Sequence, residues 1–177
     1  ANYDVAIVSH SSLDFIPLPP TTDQPITELN ISDAFIDFVI VDEAHYFKSF
    51  IPNLQSSITQ GAKKLYQILR ALETSTTKEV KIVALTATPI INRPHELFAL
   101  LALFAPQTLE RIEIKTCDDF LNAFTSQTVE WEIAPTKGWR PRTRCTGWKN
   151  VPQLAALLSQ TFDSVTSEEV AAETEIP

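Results

Sequence analysis

The sequence predicts an α/β domain in which a parallel β-sheet is flanked by helices. Three short segments are almost wholly apolar, which is typical of strands covered on both faces. Segments with helical spacing of apolar residues follow them. Each apolar segment also ends in polar residues, where open α/β sheets hold their chemistry. The three expected strands are Tyr3–Val8, Phe35–Val41 and Lys81–Leu85.

Four helices are expected between and after these strands. The first covers residues 60–72, and the second begins near Pro94, because proline is favoured in a first helical turn. Asp118 is expected to cap a third, short helix, and the fourth covers residues 151–162. Residues 163–177 are polar and acidic, so we expect them to be poorly packed.

The composition indicates a globular intracellular protein. The chain has 177 residues, of which 44% are hydrophobic, enough for one domain with a core. No apolar run approaches the roughly 20 residues that span a bilayer. Cys117 and Cys145 are far apart and are expected to be thiols. The chain lacks methionine and enters a strand pattern at once, so we expect it to be a piece of a longer protein. We expect that protein to lie in the nucleus if it is eukaryotic, and in the cytoplasm or nucleoid if it is bacterial or viral.

The charge is distributed unevenly along the chain. The net charge is −8, which opposes phosphate binding by the chain as a whole. Five basic residues and no acidic one lie between Lys137 and Lys149, so the rest of the chain carries −13. Any contact with nucleic acid is therefore expected to be local.

The strongest chemical signal is the segment VIVDEAH at residues 39–45, an apolar strand that delivers two adjacent carboxylates. Phosphoryl transfer requires Mg²⁺, and Asp42 at a strand end can hold this ion through water. Adjacent residues of an extended chain point to different sides, so Glu43 can polarise the attacking water. Acid pairs after strands are often only solvated, but the full pattern matches the Walker B arrangement of nucleoside triphosphatases.

A second signal is the triplet Thr86, Ala87 and Thr88, which follows the third apolar strand and precedes Pro89. Its position after DEAH matches motif III of superfamily-two motors, in which the hydroxyls link the carboxylate site to the other lobe and to DNA. A Thr-x-Thr-Pro sequence can also serve simply as an exit from a strand into a turn.

The flanks of these motifs resemble SWI/SNF-type superfamily-two DNA-dependent ATPases. Residues 42–49, DEAHYFKS, resemble the pattern DEAH-x-x-K-N, with Ser49 in place of Asn. Residues 88–101, TPIINRPHELFALL, resemble the block TPI-x-N-x-x-x-EL-x-x-LL. Residues 4–13, DVAIVSHSSL, resemble motif Ib, with Ser9 and His10 at its usual Ser/Thr-Tyr.

The resemblance implies the second half of the first RecA-like motor lobe, with ATP and Mg²⁺ as ligands and double-stranded DNA as the track. It implies that Asp42 holds Mg²⁺, that Glu43 orients water and that His45 contacts the nucleotide or motif III. It also implies that Thr86, Ala87 and Thr88 transmit the nucleotide state and that Ser9 and His10 are DNA-binding candidates.

The sequence departs from that family in three places. It has no phosphate loop of the GxGKT type, since its glycines stand only at positions 61, 138 and 147. The second motor lobe is missing, and residues 162–170 are acidic or neutral where the family is basic. We expect the upstream phosphate-loop segment and the second lobe of the parent as partners, and no ATPase activity from this chain alone.

A basic-aromatic segment from Lys137 to Lys149 is a further candidate. Its positively charged side chains could bind phosphates while an aromatic ring stacks on a base or inserts between bases. The alternative is a surface hairpin whose tryptophans, Trp139 and Trp148, pack on the domain. The candidate phosphate ligands are Lys137, Arg140, Arg142, Arg144 and Lys149.

Three segments and one function are predicted. Residues 1–106 form the second half of the lobe, 107–162 a helical and basic-aromatic extension, and 163–177 an acidic tail or linker. The parent is expected to hydrolyse ATP to move on or remodel duplex DNA. There are two alternatives: a helicase subunit of a restriction or phage-defence system, and a degenerate lobe used for protein interaction. An upstream Gly-Lys-Thr sequence would distinguish a motor from the degenerate lobe.

Overall fold

The described part of the chain divides into two units. The computed structural model describes residues 5–15, 36–51, 59–75, 80–90, 93–134, 138–166 and 168–169. The units are Ala1–Phe120 and Leu121–Pro177. Each is considered by itself, and no helix in the described segments is both long and apolar enough to cross a membrane.

The first unit contains a two-stranded parallel sheet. Strand β1 is Phe38–Val41 and strand β2 is Lys81–Ala84, with Val39 opposite Ile82. These strands confirm two of the three predicted apolar strands and the mixed α/β class. The predicted strand over residues 3–8 is wrong for residues 5–8, which are irregular, while residues 3 and 4 lie outside the described part.

The segment before residue 10 fails to form a strand because it has no partner in the described residues. Val5 and Ile7 are 81% and 94% exposed, and neither β1 nor β2 pairs with their backbone groups. The chain instead enters a 3₁₀ helix at His10–Phe15, where the Ser12 amide donates to the Ser9 carbonyl at 2.9 Å.

The predicted covering of both sheet faces is also wrong within the described residues. Val41 is buried and Val39 is half-buried, whereas the alternate residues Phe38 and Ile40 are exposed. On β2, Val83 is exposed on the same side. Alternate residues of a strand point to opposite faces, so the face that carries Val39 and Val41 is covered within the described unit, whereas the face that carries Phe38, Ile40 and Val83 is exposed.

Four helices accompany these strands along the chain, the first between β1 and β2 and the other three after β2, and their residue patterns explain their burial. Helix α1 is amphipathic and buries its stripe, from Ala62 to Leu72 at helical spacing. Helix α2 is apolar all round and is buried from Glu96 to Leu103. The helices are α1 (Gln60–Ser75), α2 (His95–Phe104), α3 (Pro106–Arg111) and α4 (Cys117–Phe124).

The start of α4 differs from the prediction. Thr116 Oγ1 accepts the Asp119 amide at 3.1 Å, and Asp119 Oδ2 accepts the Thr116 amide at 2.9 Å. This reciprocal pair is a capping box, so Thr116 caps the helix and Asp118 does not. These bonds to Thr116 lower the pKa of the Asp119 carboxyl.

The second unit is a long antiparallel hairpin followed by a helix. Strand β3 (Thr125–Ala134) pairs with strand β4 (Gly138–Trp148), with an irregularity at Ser126/Gln127. Helix α5 is Val151–Leu158, which ends four residues earlier than predicted. Leu154 and Leu157 are its buried residues, and the exposed residues 163–166 match the expected weak packing.

Candidate active site

The DEAH turn is fixed to the exit of the neighbouring strand by backbone hydrogen bonds. The Leu85 amide donates to the Val41 carbonyl at 2.8 Å, and the Ala44 amide donates to the Leu85 carbonyl at 2.8 Å. The pairing of β1 with β2 thus continues past the ends of both strands. As a result, residues 42–45 and residues 86–88 leave the sheet side by side.

Glu43 turns the chain sharply after the strand. Its φ of 49° and ψ of 46° are left-handed, which is uncommon for a residue with a side chain and costs on the order of 1–3 kcal/mol. The Glu43 amide donates to Asp42 Oδ1 at 2.8 Å, so one carboxylate supports the turn that presents the other. Both side chains are exposed at the strand end.

His45 joins the carboxylate turn to the Thr-Ala-Thr segment. Its Nδ1 lies 3.0 Å from Glu43 Oε2 and 3.3 Å from Thr86 Oγ1. A hydrogen bond from His45 to an ionised carboxylate requires the proton on Nδ1, because such a carboxylate only accepts. The ring also stacks on Tyr46, with centroids 4.8 Å apart. His45 is therefore held in one orientation between Glu43 and Thr86.

The Thr86 hydroxyl shapes its own loop as well. The Thr88 amide donates to Thr86 Oγ1 at 3.2 Å, which closes a tight turn at the end of β2. The Ala87 and Thr88 side chains are exposed. Of the three predicted motif III residues, Thr86 is the one whose side chain reaches the DEAH turn.

The motif Ib candidates lie beside the same turn. The His10 ring makes edge contacts with Phe47 and Tyr46, at centroid distances of 4.8 and 5.5 Å. Ser9 is exposed, and its hydroxyl lies 2.8 Å from that of Ser12 and 3.0 Å from that of Ser11. The structure thus brings His10 against the residues that follow DEAH and leaves the Ser9 backbone at the surface.

The sequence motifs do not predict the ion pair between half-buried Lys48 and buried Glu96. Lys48 Nζ lies 3.5 Å from Glu96 Oε1, and the Glu96 side chain is only 6% exposed. A charged residue inside an otherwise apolar helix such as α2 needs a partner, and that sequence signal could have pointed to this pair. The pair holds the 3₁₀ turn Ala44–Phe47 close to the start of α2.

The surroundings of the Lys48–Glu96 pair change the pKa of the neighbouring His95. Burial lowers the pKa of His95, and the positive charges of Arg93 and Lys48 lower it further, while Glu96 acts in the opposite direction. His95 is therefore favoured in its neutral form at the start of α2.

The end of β1 offers oxygen donors of the kind that Mg²⁺ takes from a protein. Nowhere in the described residues do three or more His, Cys, Asp or Glu side chains gather as a metal site. Asp42 offers an exposed oxygen donor at a strand end, and Mg²⁺ commonly uses one or two carboxylates together with water and phosphates. The donor set of Asp42 with Glu43 beside it fits that pattern.

The basic candidates of the second unit lie on a hairpin face where they meet acids. Arg140 and Arg142 bind Glu132 at 2.5 and 3.0 Å, and Arg144 Nε lies 2.8 Å from Glu130 Oε2. The bonds from Arg142 and Arg140 lower the pKa of the Glu132 carboxyl. Three guanidinium groups thus face two carboxylates, which leaves one surplus positive charge.

Two further basic candidates and the tryptophans complete this segment. Lys137 lies outside the described residues, and Lys149 is exposed. The hairpin itself was predicted as the alternative interpretation. Trp139 and Trp148 are 67% and 41% exposed, and the packing of these rings on the rest of the domain stays a prediction.

Comparison with known proteins places the chain in a family. The family model described as "Probable helicase domain" matches residues 23–166, which is most of the sequence, and the chain belongs to this helicase-like family. It is 31% identical over 99 residues to "Putative ATP-dependent RNA helicase R350" of Acanthamoeba polyphaga mimivirus. That match covers 55% of this chain and 12% of the mimivirus protein. No solved structure matches the chain significantly.

Proposed function

We propose that this chain supplies the carboxylate half of an ATP-hydrolysing site in a motor that moves on double-stranded DNA. The observation that carries the proposal is the contact of His45 with both Glu43 and Thr86. It links the candidate water-activating group to the segment that resembles motif III. A chance acid pair after a strand would not require such a link.

The chain's own residues divide the chemical work. Asp42 would hold the Mg²⁺ of a bound nucleotide, and that ion would neutralise charge on the phosphates. Glu43 would orient the attacking water and accept its proton. His45 Nδ1 contacts both Glu43 and Thr86, so the position of Thr86 would influence the direction of the Glu43 carboxylate.

The choice of duplex DNA rests on the resemblance of residues 42–49 and 88–101 to SWI/SNF-type motors. The mimivirus protein is named as an RNA helicase, which makes RNA the second candidate track. The third possibility, a degenerate lobe used for protein interaction, is opposed by the paired geometry of Asp42, Glu43 and His45.

Steady-state ATPase assays of the intact parent protein distinguish these possibilities. We expect duplex DNA to stimulate turnover more than single-stranded DNA, duplex RNA or single-stranded RNA of equal length. Preferential stimulation by RNA would contradict the DNA assignment and favour an RNA helicase. Absence of ATP turnover with every nucleic acid would contradict the motor assignment itself.

A further inference from the structure

One face of the β3–β4 hairpin is apolar and rich in tryptophan. Alternation along each strand and the register of the pair place Val129, Trp131 and Ile133 of β3 on the same face as Trp139 and Pro141 of β4. These five residues are here called the aromatic face. Ile133 lies opposite Trp139 and Trp131 lies opposite Pro141, so the two indole rings are diagonal neighbours.

The aromatic face is open to solvent. Trp131 and Trp139 are 63% and 67% exposed, and Val129 and Ile133 are exposed to a similar degree. Scattered apolar residues on a surface require no explanation, but a contiguous patch usually marks a binding site.

The charge of the segment identifies the kind of partner. The opposite face carries Arg140, Arg142 and Arg144 against Glu130 and Glu132. From residue 125 to residue 150 the sequence has five basic and two acidic residues, a net charge of +3, whereas the whole chain carries −8. The aromatic face thus lies on the part of an acidic chain that attracts a polyanion.

We propose that the aromatic face binds the unpaired bases of single-stranded nucleic acid. Every base has a π-face that can stack on an indole ring, and such stacking tolerates any sequence. The surplus positive charge of the hairpin attracts the phosphates. In a duplex the base faces are already stacked on one another, so they are not available to Trp131 and Trp139.

Base stacking on these rings requires no ATP. A protein partner would also contact an exposed apolar face, but it would use the aliphatic side chains of Val129 and Ile133 as much as the rings. Base stacking depends on the rings alone. The two occupants therefore predict different responses to substitutions of the aliphatic and aromatic residues.

Intrinsic fluorescence gives a direct first test, because the only three tryptophans of the chain, Trp131, Trp139 and Trp148, all lie in this hairpin. The 177-residue chain would be titrated without ATP with oligo(dT) or oligo(rU) of about 20 nucleotides, longer than a typical single site. We expect quenching by at least one of these strands and little by a duplex of equal length. Quenching by neither strand, or equally by the duplex, would overturn the proposal.

Paired variants then separate stacking from general apolar contact, with fluorescently labelled oligonucleotides and anisotropy as the readout. W131A/W139A should weaken binding roughly tenfold or more, since two stacking rings are removed. V129T/I133T keeps the rings and the β-propensity of both positions, so its affinity should stay within about twofold. An equal loss in both variants would refute base stacking and favour a protein partner.

W131F/W139F guards against a folding artefact, because it keeps aromatic rings at both positions. It should retain most of the affinity, with a far-UV circular dichroism spectrum like that of the unsubstituted chain. Loss of binding in this variant despite a native spectrum would also count against stacking. Comparison of oligo(dT) with oligo(rU) shows which type of single strand is preferred.

Discussion

Lys48 Nζ lies 3.5 Å from Glu96 Oε1, and this contact joins the turn after the DEAH carboxylates to the first turn of α2. Glu96 lies in α2 directly before residues 97–103, which are all apolar and buried. Because the Glu96 carboxylate is buried beside apolar side chains, loss of a neighbouring positive charge is costly at this position. The ion pair therefore constrains the position of the turn that holds Glu43 and His45.

Replacement of Lys48 by methionine should lower the free energy of unfolding of the 177-residue chain by about 2 kcal/mol, because it removes a charged partner from Glu96. Urea unfolding measures this change. Lys63→Met is the matched control, since Lys63 is an exposed lysine of α1, and it should change stability by less than about 0.5 kcal/mol. If both variants lost equal stability, the ion pair would contribute nothing specific.

The pH dependence of stability should contain a contribution from His95. Burial lowers its pKa in the folded state below the ordinary value of about 6.5, so the unfolded chain binds the proton more readily. The contribution is present above the unfolded pKa and is lost as the pH falls through the folded pKa. Stability should therefore fall as the solution is acidified below about pH 6.5.

His95→Asn should remove this part of the pH dependence. Urea unfolding of both proteins between about pH 7.5 and pH 5 measures the difference, and the comparison cancels the carboxylates that they share. We expect a shallower decline for the variant. Identical declines would show that His95 has the same pKa in the folded and unfolded chains.

The sequence predicts the fold best where a pattern is local. The apolar strands ending at Val41 and near Ala84, and the long amphipathic α1, follow from periodicity alone. Residues 5–8 have the same apolar character but form no strand, because a strand also needs a partner and composition does not supply one. The cap of α4 differed because Thr116 and Asp119 bond reciprocally, which Asp118 cannot do.

In the candidate site, too, the sequence predicts the residue types but not their detailed geometry. The residue types of Asp42, Glu43 and Thr86 follow from motif spacing, and strand pairing brings them together as expected for neighbouring parallel strands. The left-handed conformation of Glu43 and its contact with His45 depend on coordinates that spacing does not determine.

Thr86 should matter through its hydroxyl. Thr86→Val keeps a β-branched side chain but removes the oxygen that lies 3.3 Å from His45 Nδ1. In the intact parent, we compare ATP turnover with duplex DNA to ATP turnover without nucleic acid. We expect this ratio to fall roughly tenfold in the valine variant, the scale of removing one hydrogen bond. Thr86→Ser keeps the hydroxyl and should preserve the ratio. Equal ratios in the valine and serine variants would exclude a coupling role for this hydroxyl.

The hairpin arginines are expected to touch phosphates when duplex DNA binds. Replacing Arg140, Arg142 and Arg144 by glutamine should weaken binding by the parent similarly for all sequences, and flatten the log–log salt slope by about 0.9 for each phosphate that is no longer neutralised. The opposite change, E130Q/E132Q, releases the arginines from their present partners and should strengthen binding. An unchanged slope in the arginine variant would exclude these three arginines as phosphate ligands and leave Ser9, His10, Lys137 and Lys149 as the remaining DNA-binding candidates.

The most direct test of the proposed catalytic centre is single-turnover ATP hydrolysis by the intact parent carrying Glu43→Gln. The amide keeps the size of the side chain but cannot accept the proton of water, so hydrolysis should slow about 100-fold or more while ATP affinity stays unchanged. Glu110→Gln, at an exposed glutamate of α3, should hydrolyse ATP at the unsubstituted rate. Near-normal hydrolysis by the Glu43 variant would show that the DEAH turn is not the catalytic centre.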